Sequence, residues 1–264
     1  TDWHTNNYTY VAWNWKANGG TTSTIAVDSV SSGVPSIAST VQANTDAGFS
    51  IVTFTGNNTD DATIGHGLDT TPAMIITKNR DDSVSWRIWH KDLTANNVLF
   101  FTTSGTIVPS GHSNGYIKTV TSTTYSTFDA NVDSNGVNGD GDAMVSYCFA
   151  EVEGYSKYGS YIGNGNADGT FVYLGFRPAW IMFKRTDGVT HWQIHDIKRS
   201  PLNPSGIGLL ANTNDADGVS TTYNLDITSN GFKLRDAHAG QNVSGGSYIY
   251  MAFAEAPFKY ANAR

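Results

Sequence analysis

Residues 68–90, LDTTPAMIITKNRDDSVSWRIWH, return later in the same chain as residues 174–196, LGFRPAWIMFKRTDGVTHWQIHD. Pro72, Ala73, Lys78 and Asp81 match Pro178, Ala179, Lys184 and Asp187. Trp86 stands fourteen residues after Pro72, and Trp192 stands fourteen after Pro178. The ends agree as well. VSYCFAEVEGY (145–155) matches IYMAFAEAPFKY (249–260) through Phe149/Phe253, Ala150/Ala254 and Glu151/Glu255. The starts, FSIVTFTGN (49–57) and YGSYIGNG (158–165), match more loosely. A repeat of this length constrains the fold more than any other feature, because each copy must be one version of the same supersecondary unit. The chain reads as a tandem internal duplication, with copies at 37–154 and 155–264.

A third echo lies near the amino end. In YVAWNWKANGG (10–20), Val11 aligns with Val145 and Ile249, and Trp15 with Phe149 and Phe253. Residues 1–17 are therefore expected to be the closing strand of a truncated upstream repeat. A lone aromatic strand would expose unpaired backbone and large rings, so it is expected to pair with a sheet edge, of its own copies or of a neighbouring chain. Residues 18–36 are rich in Gly, Ser, Thr and Val and read as a linker.

The unit itself is all-β. β-branched and aromatic side chains suit a half-buried pleated surface, and aromatics reach 12% here. STVQANTDAGFSIVTFTG reads as a hairpin around Asn44-Thr45-Asp46-Ala47-Gly48. PAMIITK and PAWIMFK are continuous apolar runs, as in strands covered on both faces. WRIWHK alternates, which places Trp86, Ile88 and His90 on one face and Arg87, Trp89 and Lys91 on the other. Short helices are conceivable only at HKDLTANN and DIKRSPLN. About seven or eight strands per copy predict two tandem antiparallel β-sandwich domains, jelly-roll-like and packed through the tyrosine-rich junction at 155–161.

Charge and cysteine narrow the function. With a net charge of −7, the chain is a poor candidate for gripping phosphate backbones, an affinity that comes mainly from Lys and Arg, so nucleic acid is not expected as a partner. No apolar run approaches the roughly 20 residues that cross a bilayer, so no membrane insertion is expected. Cys148, the single cysteine, lies in an apolar strand pattern and reads as a small buried hydrophobe.

Candidate sites are few. Glu151 and Glu255 are equivalent positions, which would hold them a domain apart and unable to act as a glycosidase pair. His191 and His195 lack a third metal ligand. DANVDSNGVNGDGD (129–142) offers Asp129, Asp133, Asn135, Asp140 and Asp142 as oxygen ligands for Ca²⁺, but its Asn-Gly and Asp-Gly pairs equally suit a tight turn. Trp86 and Trp192 read as core, whereas Trp89, on the opposite face, is the better exposed ring for stacking on a sugar. No cofactor is expected beyond this possible calcium, and no enzymatic activity.

YVAWNWKANGG, GFSIVTFTGN, IGHGLDTTPAMIITK, YCFAEVEGYSKYGSYIGNG, FVYLGFRPAWIMFKRTD and the closing SNGFKLRD with YIYMAFAEAPFKYANAR carry a resemblance that spans residues 8–264. Together they resemble a repeat region near the carboxyl ends of large virion structural proteins of tailed, mainly marine, phages. The resemblance implies a virion component of the tail or tail fibre, localised to the particle. It would be partnered by other virion proteins, with a homo-oligomer expected and a trimer favoured. Contact with a host-surface glycan or protein would follow. The first copy departs from the second by a long insertion near 102–125, where His112, Asn114 and Tyr116 are the expected receptor contacts. The alternative reading is a secreted adhesin or carbohydrate-binding module.

Overall fold

The computed structural model describes residues 10–28, 34–102, 108–109, 115–128, 135–216, 218–219 and 223–256. The chain order begins with β1 (Ser23–Ile25), β2 (Ser39–Asn44), β3 (Phe49–Thr55), β4 (Thr63–Gly65) and β5 (Pro72–Asn79). It continues through β6 (Arg87–His90), β7 (Asn97–Phe100), β8 (Val108–Pro109), β9 (Tyr116–Val120) and β10 (Thr124–Phe128). One helical turn, α1 (Asn135–Asn138), precedes β11 (Ala143–Ala150), which closes the first half. The second half holds β12 (Ser156–Ile162), β13 (Phe171–Tyr173), β14 (Pro178–Arg185), β15 (Gln193–Asp196) and β16 (Ile207–Leu210). It ends with β17 (Gly218–Val219), β18 (Leu225–Thr228), β19 (Gly231–Leu234) and β20 (Ser247–Ala254).

Each half is a large sheet packed on a three-stranded one. In the first half the large sheet runs β1-β2-β3-β11-β5-β6-β7-β8 and the small one β4-β10-β9. In the second they run β12-β20-β14-β15-β16-β17 and β13-β19-β18. From β3 onward the two orders correspond strand for strand, and all the ladders between named strands are antiparallel. Even the irregularities recur. The β11–β5 ladder passes over Ala73, the β20–β14 ladder passes over Ala179, and each skipped carbonyl accepts a bond from the chain beyond the next strand, at Lys91 and Ile197.

A buried asparagine closes each half in the same way. Asn138 Nδ2 donates to Asn57 Oδ1 at 3.0 Å and to the Thr59 carbonyl at 3.1 Å. Asn242 Nδ2 donates to Asn164 Oδ1 at 3.0 Å and to the Asn166 carbonyl at 2.8 Å. The neighbouring Gly56 and Gly163 are required by this close approach. A Cβ would come within 2.1 Å of the Gly139 carbonyl oxygen in one half and 2.3 Å of the Val243 carbonyl oxygen in the other.

Three apolar layers follow. Val52, Phe54, Ile75, Tyr125, Met144 and Cys148 fill the first sandwich. Tyr161, Ile181, Phe183, Phe232, Tyr248 and Tyr250 fill the second. The third layer lies between the two large sheets, which pack back to back through Met74, Ile88 and Phe149 on one side and Trp180, Trp192 and Phe253 on the other. This explains why PAMIITK and PAWIMFK are apolar throughout. One face of β5 and β14 serves its own sandwich and the other serves the seam between the halves. The hairpin is formed as expected, with Gly48 at φ +62° and Ala47 N–H donating to Asn44 Oδ1 at 3.1 Å.

Several expectations need correction. The seam is made by the large sheets as a whole, with Tyr155 and Tyr158 of the expected tyrosine junction packed into it and Tyr161 facing the second sandwich. Residues 18–36 contain β1, an edge strand of the first large sheet. The described part of the amino-terminal segment, residues 10–17, joins no ladder. Its Trp13 and Trp15 instead pack into the seam, where Trp15 lies 6.1 Å from Phe149 and 5.3 Å from Phe253 between ring centroids. Burying two indoles removes more apolar area from water than a single edge pairing would. HKDLTANN and DIKRSPLN form turns, and α1 falls in the run expected to be a turn or calcium loop. Finally, there is no long insertion at 102–125. That span includes β9, whose counterpart is β18, and the strands around it are spaced alike in both halves.

Candidate functional site: an aromatic groove at the seam

An open groove of about 860 Å³ lies where the first half meets the loop after β16. Its floor is aromatic and aliphatic. Ile76 of β5 and Tyr147 of β11 are ladder partners, and Trp86, just before β6, stacks on Tyr147 with ring centroids 6.2 Å apart and planes 29° apart. Phe101 closes one side, and residues 211–215 of the second half form the opposite rim.

The rim is tied across the seam by Asn212. Its Oδ1 accepts from Trp192 N–H at 2.9 Å, while its Nδ2 donates to the Thr102 carbonyl and to His191 Nδ1. Thr213 Oγ1 accepts from Asp215 N–H at 3.4 Å. Beyond these anchors the groove has free polar groups. Among the described residues, no hydrogen bond or ion pair involves the Trp86 indole N–H, the Tyr147 hydroxyl, or the side chains of Asn214 and Asp215.

The halves differ where they line the groove. Leu99 and Phe100 pair with Ile88 and Arg87, as Leu209 and Leu210 pair with Ile194 and Gln193. The next residue is Phe101 in the first half and Ala211 in the second. Trp192 packs on Phe101 with centroids 5.0 Å apart, donates its indole N–H to the Phe100 carbonyl at 2.9 Å, and is 1% exposed. Trp86 shares its groove with Ala211, whose methyl group leaves it half-buried. The expectation that Trp86 is core is therefore wrong, although the same reading of Trp192 is right. Alternation with Ile88 hid this. The signal was the mismatch of VLFFT (98–102) with GLLAN (208–212).

The residues expected to form sites are dispersed. Trp89 is half-buried against the first sandwich core, because the alternation it follows lies between two covered faces. Its counterpart His195 is fully buried, stacked on Phe183, and burial lowers its pKa to about 3. Tyr116 is buried and stacked on Phe128, so it presents no ring to a receptor. His112, Asn114, Asp129 and Asp133 lie outside the described residues, as does the side chain of Asn135. Asp142 accepts from Asn79 Nδ2 at 2.7 Å, and Asp140 is exposed. Among the described residues no group of three or more His, Cys, Asp or Glu could hold a metal ion. Glu151 is paired with Lys157 and Lys91, and Glu255 with Arg177. Cys148 is buried, with its pKa raised by burial to about 12.

No curated protein matches the chain, and no solved structure matches it. One family model does, a domain of unknown function (DUF7483), and it covers residues 1–257. The chain belongs to that family.

Proposed function

We propose that the chain is a structural component of a phage virion, a tail or tail-fibre module that contributes to attachment to the host surface. The observation that carries this reading is the back-to-back block. Two like halves bury their large sheets against each other and leave an open aromatic groove at the seam. Such a part holds its shape by packing alone and presents a binding surface, as an attachment module must. The resemblance across residues 8–264 points the same way. The working state would be a homo-oligomer, with a trimer favoured, so that several weak sites engage one surface together.

Antibodies raised against the chain should label the tail of purified particles and slow their adsorption to host cells. Light scattering on the purified protein should give a multiple of the chain mass. Particles that lack the chain would overturn the reading.

A further inference from the structure

We infer that the seam groove binds a neutral saccharide, one or two rings of a longer glycan, with a sugar face laid on Trp86. The starting observation is a difference between the two halves. Buried indole N–H and phenol groups usually find a partner within the protein. Trp192 does so at the Phe100 carbonyl, whereas among the described residues the half-buried Trp86, at the equivalent position, and Tyr147 beneath it have no such partner and keep these groups open to the groove. The groove volume, about 860 Å³, lies in the range of small-molecule sites.

The chemistry of the lining selects the ligand. A flat ring face of C–H groups suits the exposed indole face. Hydroxyls at the ring edge suit the amide of Asn214, the hydroxyl of Thr213 and the carboxylate of Asp215. A purely aliphatic ligand would strip water from these rim groups without replacing its hydrogen bonds. An anionic sugar would meet Asp215 with no Lys or Arg among the lining residues, on a chain of net charge −7. What remains is a hydroxylated, uncharged ring. This deepens the attachment role and rests on that reading for the source of the glycan, though not for the site itself.

The test uses the full chain and three neutral disaccharides, maltose, cellobiose and N,N′-diacetylchitobiose, with a sulfated heparin disaccharide as the contrast. Saturation-transfer NMR should show saturable binding of at least one neutral sugar and none of the sulfated one. Trp86→Ala should weaken that binding about tenfold. Ala211→Phe, which places over Trp86 the ring that Phe101 places over Trp192, should abolish it. If Trp86→Ala fails to fold, Ala211→Phe carries the test. The inference is overturned if none of the neutral sugars binds, or if both variants bind as the parent does. A protein that binds no sugar yet labels the tail and mediates adsorption would remove the groove and leave the virion reading intact. Sugar binding by a protein absent from particles would do the reverse.

Discussion

Trp192 and Trp86 hold the same position in two halves of one chain and end in opposite environments. Trp192 is covered by Phe101 and its indole N–H is satisfied. Trp86 is floored by Tyr147 and bordered by Ala211, and among the described residues its N–H has no partner. The strands that carry them have the same order and the same skipped alanines. Among the differences between their surroundings is the side chain met across the seam, Phe101 against Ala211. A repeat thus predicts where a residue sits within its own unit. It does not predict what the other unit lays on top of it.

The sharpest way to break the comparison is to remove each ring in turn. Trp192→Ala should lower stability by about 3–5 kcal/mol, as expected for a large aromatic that leaves a cavity. The loss should be read as a fall in the midpoint of chemical unfolding. A cost under about 1 kcal/mol would mean that the seam is not packed around Trp192, and the contrast with Trp86 would collapse.

Acid probes the same seam from another side. His90 is buried there, with Nδ1 accepting from Asp92 N–H at 3.2 Å, so that Nε2–H donates to the Tyr250 carbonyl at 3.2 Å. Both bonds need the neutral ring, because a second proton on Nδ1 would face another donor. Burial lowers its pKa from 6.5 to about 4, only partly offset by Asp92 and the Tyr250 carbonyl. The unfolded chain therefore binds the proton first as pH falls. Stability from this group is full above about pH 6.5 and is lost as pH drops toward 4, by up to roughly 3 kcal/mol. His66, also lowered to about 4 by burial, adds to the slope from within the first sandwich. Replacing His90 by Gln should flatten the decline between pH 6.5 and 4. An unchanged slope would show that His90 does not report on the seam.

Filling the groove is a gentler change. Ala211→Phe should raise stability by about 0.5–2 kcal/mol if it completes over Trp86 the packing already present over Trp192. The melting curve checks the gain. A destabilised variant would mean that the rim cannot yield to accept the ring.

Much of this architecture was legible in the residues. The hairpin turn at 44–48, the doubly covered runs of β5 and β14, and the buried Cys148 follow from local pattern, because period and turn chemistry act within a few residues. The inward face of β6 was misread because alternation separates two faces without saying which of them water reaches. Here neither is wet, and Trp89 and Ile88 are drawn into different layers. The amino-terminal tryptophans were read as a strand because their spacing alternates, yet their rings settle into the seam without a ladder. The groove is a property of two units in contact, so no single copy could display it. Only the register of VLFFT against GLLAN carried it.

The smallest expected stability effect falls on Trp86 itself. Its loss should cost only about 0.5–1.5 kcal/mol, chiefly the stacking on Tyr147, since the ring is already partly open to the groove. The informative quantity is the difference between Trp86→Ala and Trp192→Ala under the same conditions. The two sites share strand position and residue type, so that difference isolates the covering supplied from the other half. Adding Ala211→Phe should sharpen it further. In that background Trp86 is covered, and its removal should cost about as much as removing Trp192, in the 3–5 kcal/mol range. Such coupling between positions 86 and 211 would show that the open groove is the consequence of one small residue. If the two changes instead add independently, Ala211 does not control the exposure of Trp86, and the opening must be held by the remaining rim, Asn212 and its bond to the Thr102 carbonyl.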